Sequence, residues 1–211
     1  MTNNFEVFRN YMLENGIPMY QKDMGDLFFQ ILVMRRGKDY PDLPAANYTF
    51  KIYYIDCIEN YDKYKDEIIA CCDIFNLRAY ISVNVKSKEK MSKLVSNRFT
   101  LNIFNNEYKK PWRVFDHCFG KLQNKSKDVW IIDVDDDKDM EYINSLIGLM
   151  NSCDSKYENV HVMTIPTKSG YHILTRPFNL KQFKQLYPLK FRNKHIPEVK
   201  QNHITLLYEN L

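Results

Sequence analysis

Asp133 and Asp135 close an apolar run, Val129-Trp130-Ile131-Ile132-Asp133-Val134-Asp135. Side chains alternate faces along a strand, so the two carboxylates point the same way. Neighbouring carboxylates repel each other unless a cation lies between them, and hard divalent ions such as magnesium take oxygen ligands of this kind. A second group follows in Lys168-Ser169-Gly170-Tyr171-His172-Ile173-Leu174. Lys168, Ser169 and His172 gather an ammonium, a hydroxyl and an imidazole around one turn, and these donors suit phosphate. Gly170 lets the backbone there come close to a ligand. A third acid would complete a metal site. Glu198, in Ile196-Pro197-Glu198-Val199, is the leading choice and Glu209 the alternative.

Each group also has a plainer reading. Asp133 and Asp135, followed by Asp136, Asp137 and Asp139, would equally make a solvated acidic turn, because carboxylates favour a helix N-terminus. A lone histidine is commonly a core residue satisfied by a neighbour, and Glu198 would serve as an exposed loop residue. A calcium loop fails. Asp133, Asp135 and Asp137 fall at its positions 1, 3 and 5, but the required Gly at 6 and Glu at 12 are Lys138 and Asn144. What remains is a magnesium or manganese site at a strand end.

The elements that must position these groups follow from periodicity. Residues 129–134 read as a strand, and 139–153 as a helix with Ile143, Leu146, Ile147 and Met150 on one face. Residues 160–165 are a strand, 166–170 a tight turn and 171–175 the returning strand. A short helix from 179 to about 186 and a last strand over 204–208 complete a β-α-β-β-α-β order. That order predicts a four-stranded sheet with two helices on one face. The other face is left for a ligand or for the N-terminal lobe. Its first and third strands are central neighbours, which brings the aspartates to His172.

The first half is an α/β lobe. Residues 4–15 read as a helix, 27–34 as a buried strand, and Arg35-Arg36-Gly37-Lys38 as a basic turn. Pro41, Pro44 and Asn47 mark a loop. Residues 48–54 alternate as a strand. Residues 60–76 are helical, with Ile68, Ile69, Cys72 and Phe75 on one face, and 78–85 alternate again. Ser87 caps a helix carrying Met91, Leu94 and Val95. Residues 100–127 show no clear period and are assigned to loops and the crossover between lobes. The expectation is one α+β domain over 1–211, with an N-terminal lobe over 1–127 packed on an RRM-like lobe over 128–211.

Composition excludes several classes. With 211 residues and 45% apolar content the chain can bury a core. A net charge of +4 permits a nucleic-acid partner without demanding one. The five cysteines (57, 71, 72, 118 and 153) are odd in number and form no C-x-x-C pair, which argues against a disulfide framework or zinc and for a reducing compartment. The start does not read as a signal peptide, and no apolar run reaches the roughly 18 residues of a membrane span. These features set the expectation of a soluble cytoplasmic protein with no membrane partner.

A hydrophobic strand ending in Asp-x-Asp, then a Ser-x-x-His turn, then an acid before a strand resembles the archaeo-eukaryotic primase superfamily of primases and primase-polymerases. The likeness covers roughly 75–208 and is densest over 128–208. Residues 78–84 of the first lobe are similar to phage and mobile-element members. The third acid is Glu where the family often has Asp. The resemblance implies that Asp133, Asp135 and Glu198 are catalytic metal ligands for Mg2+ or Mn2+. It implies that Ser169, Gly170, His172, Lys168 and Arg176 hold the triphosphate, with Asn202 at the nucleotide or its sugar. Nucleoside triphosphates, a single-stranded DNA template and a separate replicative helicase are the implied partners. Arg35, Arg36, Lys38 and Lys86, together with Lys88 and Lys90, are candidates for template phosphates; each is otherwise ordinary surface charge. Competing readings are a non-catalytic RRM-like nucleic-acid-binding replication protein, a metal-dependent nuclease, and an initiator with a decayed site. The first of these lacks an RNP1 pattern.

Overall fold

The computed structural model describes the chain except for residues 24, 41–46, 109–112, 123–128, 136–138, 193, 202 and 211. The expected Pro41–Pro44 loop, the Asp136-Asp137 part of the acidic turn and Asn202 therefore lie outside the described residues, as does the side chain of Lys38. The protein is α+β, built on two antiparallel sheets. No helix among the described residues is long and apolar enough to cross a membrane.

The first sheet contains β1 (Thr2–Asn3), β2 (Leu27–Arg35), β3 (Tyr48–Ile55), β4 (Arg78–Ser82), β5 (Lys86–Ser87) and β10 (Ile204–Glu209). Its order is β1-β10-β4-β2-β3, with β5 also paired to β2. Helices α1 (Phe5–Glu14) and α2 (Ile58–Phe75) share a core with it. That core follows the alternation of β2: Phe29, Ile31 and Val33 join Phe5, Phe8, Tyr61, Ile68 and Cys72. Phe75, expected on the same helix face, is instead half exposed beside Phe50, with ring centroids 5.1 Å apart.

Ser87 caps α3 (Lys88–Phe104), accepting from the Lys90 N–H at 3.1 Å. The stretch assigned to loops carries a further helix, α4 (Arg113–Lys121), whose Val114, Cys118 and Phe119 meet Phe28 and Met91 in a separate core.

The second sheet contains β6 (Trp130–Val134), β7 (His161–Pro166), β8 (Tyr171–Thr175) and β9 (Glu198–Gln201), in the order β7-β8-β6-β9. Helices α5 (Met140–Asn151) and α6 (Leu180–Lys190) connect β6 to β7 and β8 to β9. Asp139 caps α5, accepting from the Glu141 N–H at 2.9 Å, and Asn179 caps α6, accepting from the Gln182 N–H at 3.1 Å. β6 is buried on both sides. Ile132 and Val134 pack with Ile143, Leu146, Phe183 and Tyr187, while Ile131 joins the core of the first sheet.

One strand differs from the sequence expectation. The fourth strand of the β-α-β-β-α-β unit is β9, and residues 204–208 lie in the first sheet between β1 and β4. A lobe boundary drawn at 127/128 therefore assigns β10 to a sheet with which it does not pair. The physical reason is burial. Leu206, Leu207 and Tyr208 are all at most 3% exposed and need a central position. The Glu-Val-Lys-Gln segment, with charge on one face, suits an edge. The return of β10 ties the two sheets together. Asn84 accepts from the Val129 N–H at 2.7 Å and donates to the Val129 carbonyl at 3.1 Å. Asn4 donates to the carbonyls of Pro166 (3.1 Å) and Leu206 (2.9 Å).

Candidate functional site

In the register of the second sheet Asp133 on β6 sits opposite His172 on β8 and opposite Glu198 on β9. Paired residues on adjacent strands share a face, so Glu198, Asp133 and His172 form one row across three strands. Ile131 lies two residues back on the same face. It faces Leu174 and Lys200, which places Lys200 beside the row.

Asp133 is the centre of the row. Its side chain is only 10% exposed. His172 Nε2 lies 3.1 Å from Oδ1, and the Lys200 ammonium pairs with Oδ2. Oδ1 is buried and accepts no well-aligned hydrogen bond from the described residues. Burial alone would raise the Asp133 carboxyl; His172 and Lys200 outweigh it and hold the group well below the usual carboxylate range. Burial likewise opposes the charge on Lys200, but Asp133 and Glu198 raise its affinity for the proton above the ordinary value. Lys200 Nζ also reaches Glu198 Oε2 at 3.2 Å, so one ammonium bridges two opposed carboxylates.

His172 is held from behind. Its Nδ1 lies 2.6 Å from the hydroxyl of Thr205, a fully buried residue of β10. The imidazole thus spans both sheets. Asp135, just past β6, is exposed and accepts from Ser169 Oγ at 3.1 Å. That bond joins the Asp-x-Asp segment to the β7–β8 turn. Gly170 is buried within that turn, bonded both ways to Thr167 (3.1 and 2.9 Å), and does not line the cleft.

The row opens into a cleft of about 430 Å³ between the sheets. Asp133, Asp135, Lys168, Ser169, His172, Glu198 and Lys200 line one side. The first sheet supplies Met34, Arg78, Tyr80 and Leu206, and Arg36 reaches in from just past β2. The cleft is therefore acidic at its floor and carries basic groups around it. The buried Tyr80 hydroxyl has no well-aligned hydrogen bond from the described residues.

Several expected contributors are elsewhere. Arg176 follows the far end of β8, where its guanidinium lies 4.9 Å from the Tyr157 ring centroid. Arg35 lies over Tyr40 and Tyr48 rather than in the cleft, at 5.6 and 6.0 Å from their centroids. Lys86 is 1% exposed and donates to the Leu122 carbonyl at 2.5 Å, which removes it from any template surface. Lys88 pairs with Asp56 at 2.9 Å. Glu209, the alternative third acid, is fully buried against Arg78 at 3.1 Å and does not line the cleft. Sequence reasoning missed Lys200, Thr205, Arg78 and Tyr80. Lys200 had a readable signal, because Glu198 and Lys200 share a face once 198–201 is taken as a strand.

Asp133, Asp135 and Glu198 offer hard oxygen donors of the kind a divalent cation takes. Among the described residues, no three His, Cys, Asp or Glu side chains yet converge closely enough to enclose one. The place between Asp133 and Glu198 is taken by the Lys200 ammonium. No family model, no curated protein and no solved structure matches the chain.

Proposed function

We propose that the protein catalyses metal-dependent, template-directed nucleotidyl transfer, making or extending primers on single-stranded DNA. The observation that carries this reading is the row of Glu198, Asp133 and His172 on three adjacent strands, facing a cleft with Arg36, Arg78 and Lys168 around it. The resemblance to the primase superfamily adds the order of the motifs along the chain.

Asp133, Asp135 and Glu198 are the residues that would hold Mg2+ or Mn2+. A bound divalent ion supplies activation of a 3′-hydroxyl and neutralisation of the departing pyrophosphate. The remaining work falls to the chain. His172, fixed by Thr205, presents its imidazole toward the cleft beside Asp133. Ser169 orients Asp135 and stands at the turn where a triphosphate would lie. Lys168 and Arg36 contribute positive charge without a carboxylate partner among the described ion pairs. A cleft with both signs of charge suits a ligand that is itself a metal–phosphate complex.

The test is primer synthesis and extension on single-stranded DNA with labelled nucleotides and magnesium or manganese, beside Asp133→Ala/Asp135→Ala. Metal-dependent products that vanish in the double variant support the reading. Metal-dependent degradation of the DNA without any need for nucleoside triphosphates would make the same site a nuclease. Neither product nor nucleotide binding would overturn the catalytic reading.

A further inference from the structure

Asp133 and Glu198 are directly opposed on neighbouring strands, an arrangement in which like charges repel. The strand that carries Glu198 also supplies the compensating charge. Lys200, two residues on and on the same face, places its ammonium between the two carboxylates and contacts both. It is a cleft residue with a side chain 23% exposed, so it has solvent-facing space into which to withdraw. One position cannot hold both an ammonium and a divalent ion.

We infer that Lys200 is a built-in competitor for the divalent cation. It neutralises the carboxylate row from within, and a metal ion held by Asp133 and Glu198 would have to displace it. The inference rests on the reading of these carboxylates as metal ligands. It goes further, because it assigns Lys200 a role opposite in sign to that of an ordinary site residue. Removing a residue that helps to bind a ligand weakens binding; removing a competitor strengthens it.

The experiment is titration of Mn2+ alone into the full chain, followed by electron paramagnetic resonance of the free ion, with thermal melts of the same samples. The variants are Lys200→Met, Lys200→Gln, Lys200→Arg and Asp133→Asn. Lys200→Met and Lys200→Gln should bind Mn2+ about tenfold more tightly than wild type, within the span of ordinary coupling between sites. They should also melt lower in chelator and gain more from Mn2+. Lys200→Arg keeps the cation and should stay near wild type, and adding Asp133→Asn should abolish the gain. If wild type binds Mn2+ through Asp133 while both neutral variants bind equally or more weakly, the competitor role is wrong and the metal site stands. If neither wild type nor the neutral variants bind Mn2+, the metal reading and the inference fall together. The two neutral variants differ in packing, so a folding failure in one leaves the other to decide.

Discussion

Asp133 and His172 face each other across β6 and β8, with His172 Nε2 3.1 Å from Asp133 Oδ1, and the other imidazole nitrogen reaches Thr205 on the opposite sheet. The pair is one place where the two sheets meet chemically. A carboxylate in the second sheet, an imidazole beside it and a hydroxyl from the first sheet make one chain of contacts. The orientation of His172 therefore depends on how β10 returns, and the site and the joining of the lobes are one piece of structure.

Acid should weaken the protein through Asp133. Burial disfavours its charge, but His172 and Lys200 hold the folded carboxyl below the ordinary 3.8. A carboxyl depressed on folding adds stability that is fully present above its unfolded value and is lost as pH falls through its native value. Asp133→Asn should therefore be less stable than wild type at neutral pH, and the gap should shrink as pH drops below about 4. Urea midpoints at pH 7, 5 and 3 check this. A gap that stays constant down to pH 3 would contradict the ionic role.

Thr205 should act as a positioning residue. Thr205→Val keeps the shape of the side chain and deletes the hydroxyl 2.6 Å from His172 Nδ1. A lost hydrogen bond of this kind costs about 1 kcal/mol of stability. On the proposed reading of the site, the sharper effect belongs on nucleotide binding, with KM for the nucleotide rising roughly tenfold, equivalent to about 1.4 kcal/mol, and kcat changing less. Thr205→Ser should restore KM. Steady-state extension assays decide, and an unchanged KM in Thr205→Val would remove this role.

Much of the site was readable because strands have period two. Alternation predicts one face for Asp133 and Asp135, and both line the cleft although Asp135 lies just past β6; a β-α-β-β-α-β order makes β6 and β8 neighbours. What could not be read was which strand ends meet across the sheets. Arg176 is four residues from His172 along an extended strand, roughly 13 Å away at about 3.3 Å per residue, so nearness in sequence misled. Arg36 enters the cleft from just past a strand about a hundred residues earlier, and no local pattern announces that. β9 was missed because the apolar run at 204–208 is the stronger strand signal, although it serves the other sheet. Helix α4 escaped because its flanks give no clean period.

Lys86 should behave as a structural residue. Its ammonium donates to the Leu122 carbonyl and lies 5.3 Å from the Phe119 ring centroid, beneath α4. Lys86→Met keeps the aliphatic stem and strands that carbonyl, which should cost about 1–3 kcal/mol. If the chain binds single-stranded DNA as proposed, the salt dependence of that binding should not change. Arg36→Ala, in the cleft, should instead reduce the slope of log affinity against log salt by about 0.7, the share of one phosphate contact on a single strand. A reduced slope for folded Lys86→Met would reverse this assignment.

Arg78 and Glu209 should be inseparable in stability. Glu209 is fully buried, neither of its carboxylate oxygens accepts a well-aligned hydrogen bond from the described residues, and Arg78 at 3.1 Å is its counter-charge. Arg78 also pairs with Asp39 at 2.8 Å, and its own side chain is 6% exposed. Removing one member of a buried pair leaves the other charged in a poorly solvated place, at a cost of about 3–5 kcal/mol. Replacing both with apolar residues of similar size removes the uncompensated charge of Glu209 and leaves only Asp39, whose side chain is 19% exposed, without Arg78. Arg78→Met alone should therefore lose about 3–5 kcal/mol in denaturant titration, and Arg78→Met/Glu209→Met should recover most of it. Glu209→Gln should lower stability and leave Mn2+ affinity unchanged, because Glu209 does not line the cleft. Glu198→Gln should do the reverse, since its side chain is 71% exposed and sits in the row. Stability and metal affinity measured on the same two glutamine variants thus separate the buried acid from the one that faces Asp133. Loss of Mn2+ binding in a folded Glu209→Gln variant would overturn that division.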